Sequence, residues 1–164
     1  MIDLTANIDN AVITKLDPKT IKEDKDERLL GYSVDFKAEV SCNFMEKLAI
    51  QGNFDYEKLL YMEDGALAPH MITKLVFDRV FDQHSLKIDL DLISEQFMVF
   101  HKVTLKSFKA VPVFGKNIKL SFRMQLDPTP TEVEFLNRAV LISCIKLEIT
   151  PPTNADLDQS ELDL

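Results

Sequence analysis

Residues 30–44 read Leu30-Gly31-Tyr32-Ser33-Val34-Asp35-Phe36-Lys37-Ala38-Glu39-Val40-Ser41-Cys42-Asn43-Phe44. Tyr32, Val34, Phe36, Ala38, Val40, Cys42 and Phe44 alternate with Ser33, Asp35, Lys37, Glu39, Ser41 and Asn43. Successive strand side chains point to opposite faces, so this period of two predicts a strand with one apolar and one wet face. The pattern returns at 84–92, with Leu86, Ile88, Leu90 and Leu92 against Lys87, Asp89 and Asp91. It returns again at 117–126, with Ile118, Leu120, Phe122, Met124 and Leu126 against Lys119, Ser121, Arg123 and Gln125. Residues 143–149 add Ile145, Leu147 and Ile149, and weaker strands are expected at 2–13, 72–81 and 102–111.

Two short helices are expected. One covers about 55–62. The other begins at Thr131, where Thr131 and Glu134 have capping-box spacing behind Pro128 and Pro130. A short turn or helix is expected to bridge 93–100. Residues 15–28, dense in charge and carrying Pro18, read as a solvated loop. The fold class is therefore β-rich α+β: an antiparallel sheet or partly open barrel with two short helices. Residues 1–152 are expected to form one globular domain, and 153–164 a disordered acidic tail.

With 164 residues and 46% hydrophobic content, the chain can build a core without disulfides or metal. Its two cysteines, Cys42 and Cys144, have no partner at ligand spacing and read as two buried thiols. No apolar run reaches the length of a membrane span, and no signal peptide is visible at the N-terminus, so a cytoplasmic protein is expected.

Catalytic patterns are poor. His70, His84 and His101 are scattered, and His84 reads as a surface residue at a hairpin turn. Asp89 and Asp91 form an i, i+2 pair, a pattern that alternating polar faces produce routinely. The four dispersed glycines exclude a glycine-rich phosphate loop. The expectation is no cofactor, no metal and no enzymatic activity.

Binding chemistry concentrates elsewhere. From Gln96 to Leu126 the chain carries His101, Lys102, Lys106, Lys109, Lys116, Lys119 and Arg123 and no acid, within a protein of net charge -8. Alternation places Lys102, Thr104, Lys106 and Phe108 on one face of a strand, and Lys119, Ser121, Arg123 and Gln125 on the wet face of its neighbour. If the two faces coincide, the hairpin presents cations for phosphates and a phenylalanine for stacking, which suits single-stranded DNA or RNA. The candidate nucleic-acid-binding residues are Lys102, Lys106, Phe108, Lys116, Lys119 and Arg123, with a mobile tip at Phe114–Asn117. The structural reading of the same residues is a solvated strand face whose lysines discourage edge pairing.

Half of the net negative charge lies in the last twelve residues, on Asp156, Asp158, Glu161 and Asp163. The chain ends Gln159-Ser160-Glu161-Leu162-Asp163-Leu164. Gln159, Leu162 and Leu164 resemble the short motif by which partners dock on bacterial sliding clamps. The tail is also similar to the acidic C-termini of bacterial and phage single-stranded-DNA-binding proteins, although it ends in Leu164 rather than an aromatic residue and lacks a glycine-rich linker. These resemblances imply a replication or recombination partner at the tail, and a phage or other mobile-element origin suits so small an accessory protein.

A second reading is a protein-interaction or assembly module, such as a virion component or an inhibitor of a host protein. In it, an acidic hairpin over 74–92 meets the basic hairpin 102–123 of another copy to form a homo-oligomer.

Overall fold

The computed structural model describes residues 3–23, 26–49, 55–69, 72–91 and 96–153. Its strands are β1 (Ala6–Glu23), β2 (Asp26–Ser41), β3 (Leu75–Phe77), β4 (Phe81–Asp91), β5 (Gln96–Val113), β6 (Asn117–Leu126) and β7 (Ile145–Thr150). All pairings among them are antiparallel. The ladders run β5–β4–β7–β1–β2–β6 and return from β6 to β5, so these strands close into a ring, with β3 added alongside β5. Closure leaves the apolar face of each alternating strand looking inward and the wet face outward.

Bulges make the closure possible. Asn10, Gln83, Lys102 and Ser107 have φ between 55° and 60°. Each lies in a register shift where two residues oppose one: in β1 against β7, in β4 and in β5 across their shared ladder, and in β5 against β6. An extra residue in the left-handed region sharpens local coiling, as a small barrel requires.

The interior is packed rather than hollow. Phe36 stacks on Phe122 and Phe122 on Phe108, both at 5.2 Å, and Phe108 meets the edge of Phe81 at 5.6 Å. Phe81 in turn contacts His84. Leucine, isoleucine and valine from every strand of the ring fill the remaining space.

The helices are α1 (Met45–Leu48), α2 (Tyr56–Leu60) and α3 (Pro130–Ala139). In α2, Asp55 caps Lys58 N–H, and the Tyr61 hydroxyl just beyond it donates to the Asn117 carbonyl. The capping box of α3 lies two residues earlier than its sequence suggested. Thr129 and Glu132 exchange the bonds, with Pro130 at the first helical position, rather than Thr131 and Glu134. Proline needs no N–H there and its fixed φ starts the helix. Phe135, Leu136 and Ala139 of α3 are buried, Phe135 against Phe100 of β5.

Other expectations are corrected. The charged segment 15–28 is strand rather than loop wherever it is described: Lys15 to Glu23 and Asp26 to Gly31 belong to the β1–β2 ladder. Residues 74–92 are not a hairpin, because β3 and β4 each pair with β5 and not with one another. No helix bridges 96–100, which belongs to β5. Cys42 is buried as expected, but Cys144 is exposed. His84 is wholly buried rather than on the surface. Its Nε2 accepts the Leu4 N–H at 2.9 Å, so Nδ1 carries the proton and donates to the Asp82 carbonyl at 2.7 Å. No described helix is long and apolar enough to cross a membrane.

Candidate nucleic-acid interface

Strand register assembles the candidate surface row by row on the outer wall of β1, β2, β6 and β5. Lys37 of β2, Ser121 of β6, Lys109 of β5 and Val76 of β3 form one lateral row. The next holds Lys15, Asp35, Arg123 and Lys106, and the one after it Asp17, Ser33, Gln125 and Thr104. On the other side, Glu39 faces Lys119, which faces Val111. Lys106 and Lys109 of β5 therefore share one outward surface with Lys119 and Arg123 of β6.

The register also decides which of them are neutralised. Arg123 Nε lies 2.8 Å from Asp35 Oδ1 and Nη2 lies 3.4 Å from Oδ2, a two-pronged contact. The hydrogen bond to Asp35 raises the pKa of this guanidinium above its ordinary value. Lys15 pairs with Asp17 at 4.0 Å, whereas Lys119 stands opposite Glu39 without an ion pair among the described residues. Among the described residues, Lys37, Lys106 and Lys109 make no ion pair. They surround Ser121 and Ser107. A depression of about 280 Å³ opens there, lined by Thr14, Lys37, Ser107, Lys109, Ser121 and Arg123 and also by Asp35, whose carboxylate is held by Arg123. Charged and hydroxyl donors converging on one depression suit an anionic oxygen.

Phe108 leaves the wall. Ser107 and Phe108 together oppose Phe122, and this extra residue reverses the alternation of β5. Phe108 is fully buried in consequence, and Lys109 takes the outward position. The ring cannot serve as a stacking surface for a base.

Lys102 is exposed, but the β5–β6 ladder begins at Thr104, so it lies beyond the wall. His101 beside it contacts Ser85 across β4 at 3.1 Å. Lys116 is in the β5–β6 turn and bridges Glu57 at 2.8 Å, a hydrogen bond that raises its pKa above the usual lysine value. The tip itself is tied down: Gly115 N–H donates to Gly65 O at 3.0 Å and Cys42 N–H to Lys116 O at 3.0 Å. Gln159, Leu162 and Leu164 lie outside the described residues.

Sequence reading did not find Lys37, Ser107 and Ser121 as a set. Lys37 and Ser121 were legible as outward residues of their own strands, but only the β2–β6 ladder makes them neighbours. No family model matches this chain, and no curated protein or solved structure shows significant similarity to it.

Proposed function

We propose that this chain is a non-enzymatic accessory protein that binds single-stranded DNA or RNA on the outer wall of β2, β6 and β5. Its acidic C-terminal tail, through Gln159, Leu162 and Leu164, docks a replication or recombination partner. The observation that carries the reading is the row Lys37–Ser121–Lys109 with Lys106 beside it, a cluster of cations without ion pairs among the described residues of a protein of net charge -8. Such a cluster releases counterions when it meets phosphates, which drives binding without any enzymatic step. Fluorescence anisotropy with labelled oligonucleotides across salt tests it. Affinity should fall as salt rises, with a log–log slope of about -0.7 per phosphate neutralised. Absence of binding at low salt, or binding that ignores salt, sinks the reading.

A second reading, an assembly module, has its own support. Val76, Val111 and Phe114 are 57%, 40% and 73% exposed on β3, β5 and the β5–β6 turn. An apolar margin beside cations is the composition of a protein interface. Light scattering at two ionic strengths separates the two readings: oligomers without nucleic-acid affinity favour assembly.

A further inference from the structure

A second depression, of about 310 Å³, lies on the same wall beyond the Asp35–Arg123 pair. Lys19, Gly31, Ser33, Thr104, Gln125 and Asp127 are among the residues that line it. Its chemistry differs from that of the cationic depression. Ser33 is outward by alternation, yet only 3% exposed, and its Oγ has no hydrogen-bond partner among the described residues. Beside it in register is the Gln125 amide, a coplanar donor and acceptor. Asp127 adds a carboxylate just beyond β6, and the only cation among the described lining residues is Lys19.

We propose that this depression is a nucleobase pocket selective for bases that carry an exocyclic amino group. The inference rests on the reading of the wall as a single-stranded nucleic-acid site. The Gln125 amide can pair with a base edge that offers both a donor and an acceptor, as adenine does. Asp127 accepts from an exocyclic amine such as that of cytosine, and the Ser33 hydroxyl adapts to either. Thymine presents one imide N–H between two carbonyls, so it can serve the Gln125 amide or the Asp127 carboxylate but not both, whereas an exocyclic amine has two hydrogens and can serve both. Phosphates are repelled here by Asp127 and Asp17 and attracted by Lys37 and Lys109. Ser33 and Lys37 are four residues apart on one strand, about 14 Å. The base and the phosphate held by the two depressions can therefore belong to nearby nucleotides of one strand running along β6.

Gly31 provides a clean way to close the pocket. A Cβ there would lie 3.5 Å from Asp127 Oδ1 and 3.6 Å from the Leu126 carbonyl oxygen, ordinary contacts, so a larger side chain occupies the depression without backbone strain. The experiment measures anisotropy of labelled dodecamers of deoxyadenylate, deoxycytidylate and thymidylate with the full chain. The variants are Gly31→Leu and Gln125→Ala, each checked for folding by circular dichroism. The unaltered protein should bind the adenine and cytosine strands at least about fivefold more tightly than the thymine strand. Gln125→Ala, and Gly31→Leu if folded, should bring all three to the thymine value. Equal affinities for the three strands, or a preference that survives Gln125→Ala, overturn the base pocket while salt-dependent binding leaves the cationic wall standing. No binding of any strand at low salt removes both.

Discussion

Phe108 lies face to face with Phe122 inside the barrel, the ring centroids 5.2 Å apart and the planes 13° from parallel. Phe108 also meets the edge of Phe81, and Phe122 stacks on Phe36, so removing this one ring opens the middle of an aromatic column. Phe108→Ala should destabilise the fold by about 3–5 kcal/mol in urea denaturation. The remaining folded molecules should bind oligonucleotides with unchanged affinity, because the ring never faces solvent. Loss of binding with unchanged stability would contradict the inward placement.

Lys37 and Lys109 flank Ser121 from opposite sides through two separate ladders. The double variant Lys37→Ala with Lys109→Ala should weaken oligonucleotide binding at low salt. It should also reduce the salt slope by roughly 0.7 for each phosphate that the wall no longer neutralises. Lys102→Ala, off the wall, should change neither quantity appreciably.

The Asp35 carboxylate competes with phosphate for Arg123. Asp35→Asn removes the charge while keeping the size of the side chain. Affinity for single strands should rise by up to about fivefold at low salt, the worth of an exposed ion pair of about 1 kcal/mol. Titrations at low and high salt check this, since the gain should fade as salt screens it. Unchanged or reduced affinity would mean that Arg123 contributes nothing to binding.

His84 ties the N-terminal segment to β4 through two bonds made by one buried ring. His84→Ala leaves a cavity and an unpaired Leu4 N–H, and should cost about 2–4 kcal/mol. His84→Phe refills the volume without restoring the acceptor and should recover part of that loss. Chemical denaturation of the three proteins distinguishes these outcomes.

The two thiols should differ in reactivity. Burial pushes the Cys42 thiol above its ordinary 9.0, with Glu57 adding to the effect. Cys144 is exposed and hydrogen-bonds Asn10 at 2.9 Å. A disulfide reagent at neutral pH should modify Cys144 quickly and Cys42 only as the protein opens. Because the folded thiol ionises later than the unfolded one, the chain sheds Cys42's proton more readily when unfolded. Stability should therefore decline as pH rises through about 9. A Cys42→Ala variant should lack that part of the decline.

The sequence by itself determined the strands of the ring that carry period-two alternation, the placement of α3 to within two residues, and the outward direction of Lys119, Ser121 and Arg123. These are local properties: each follows from side-chain alternation or from a cap within one turn. Tertiary structure decided the rest. Closure of the ring, the pairing of first strand with last, and the meeting of Lys37 with Ser121 depend on ladders between segments far apart in the chain. Bulges at Lys102 and Ser107 use ordinary residues at positive φ, so no glycine announced them, and alternation carried across Ser107 put Phe108 on the wrong face. A period of two is reliable only while the ladder is regular, since one inserted residue exchanges inside for outside. Likewise, sequence counted the positive charges of 96–126, but only the register of β2 brought Asp35 onto Arg123, while Lys37, Lys106 and Lys109 make no ion pair among the described residues.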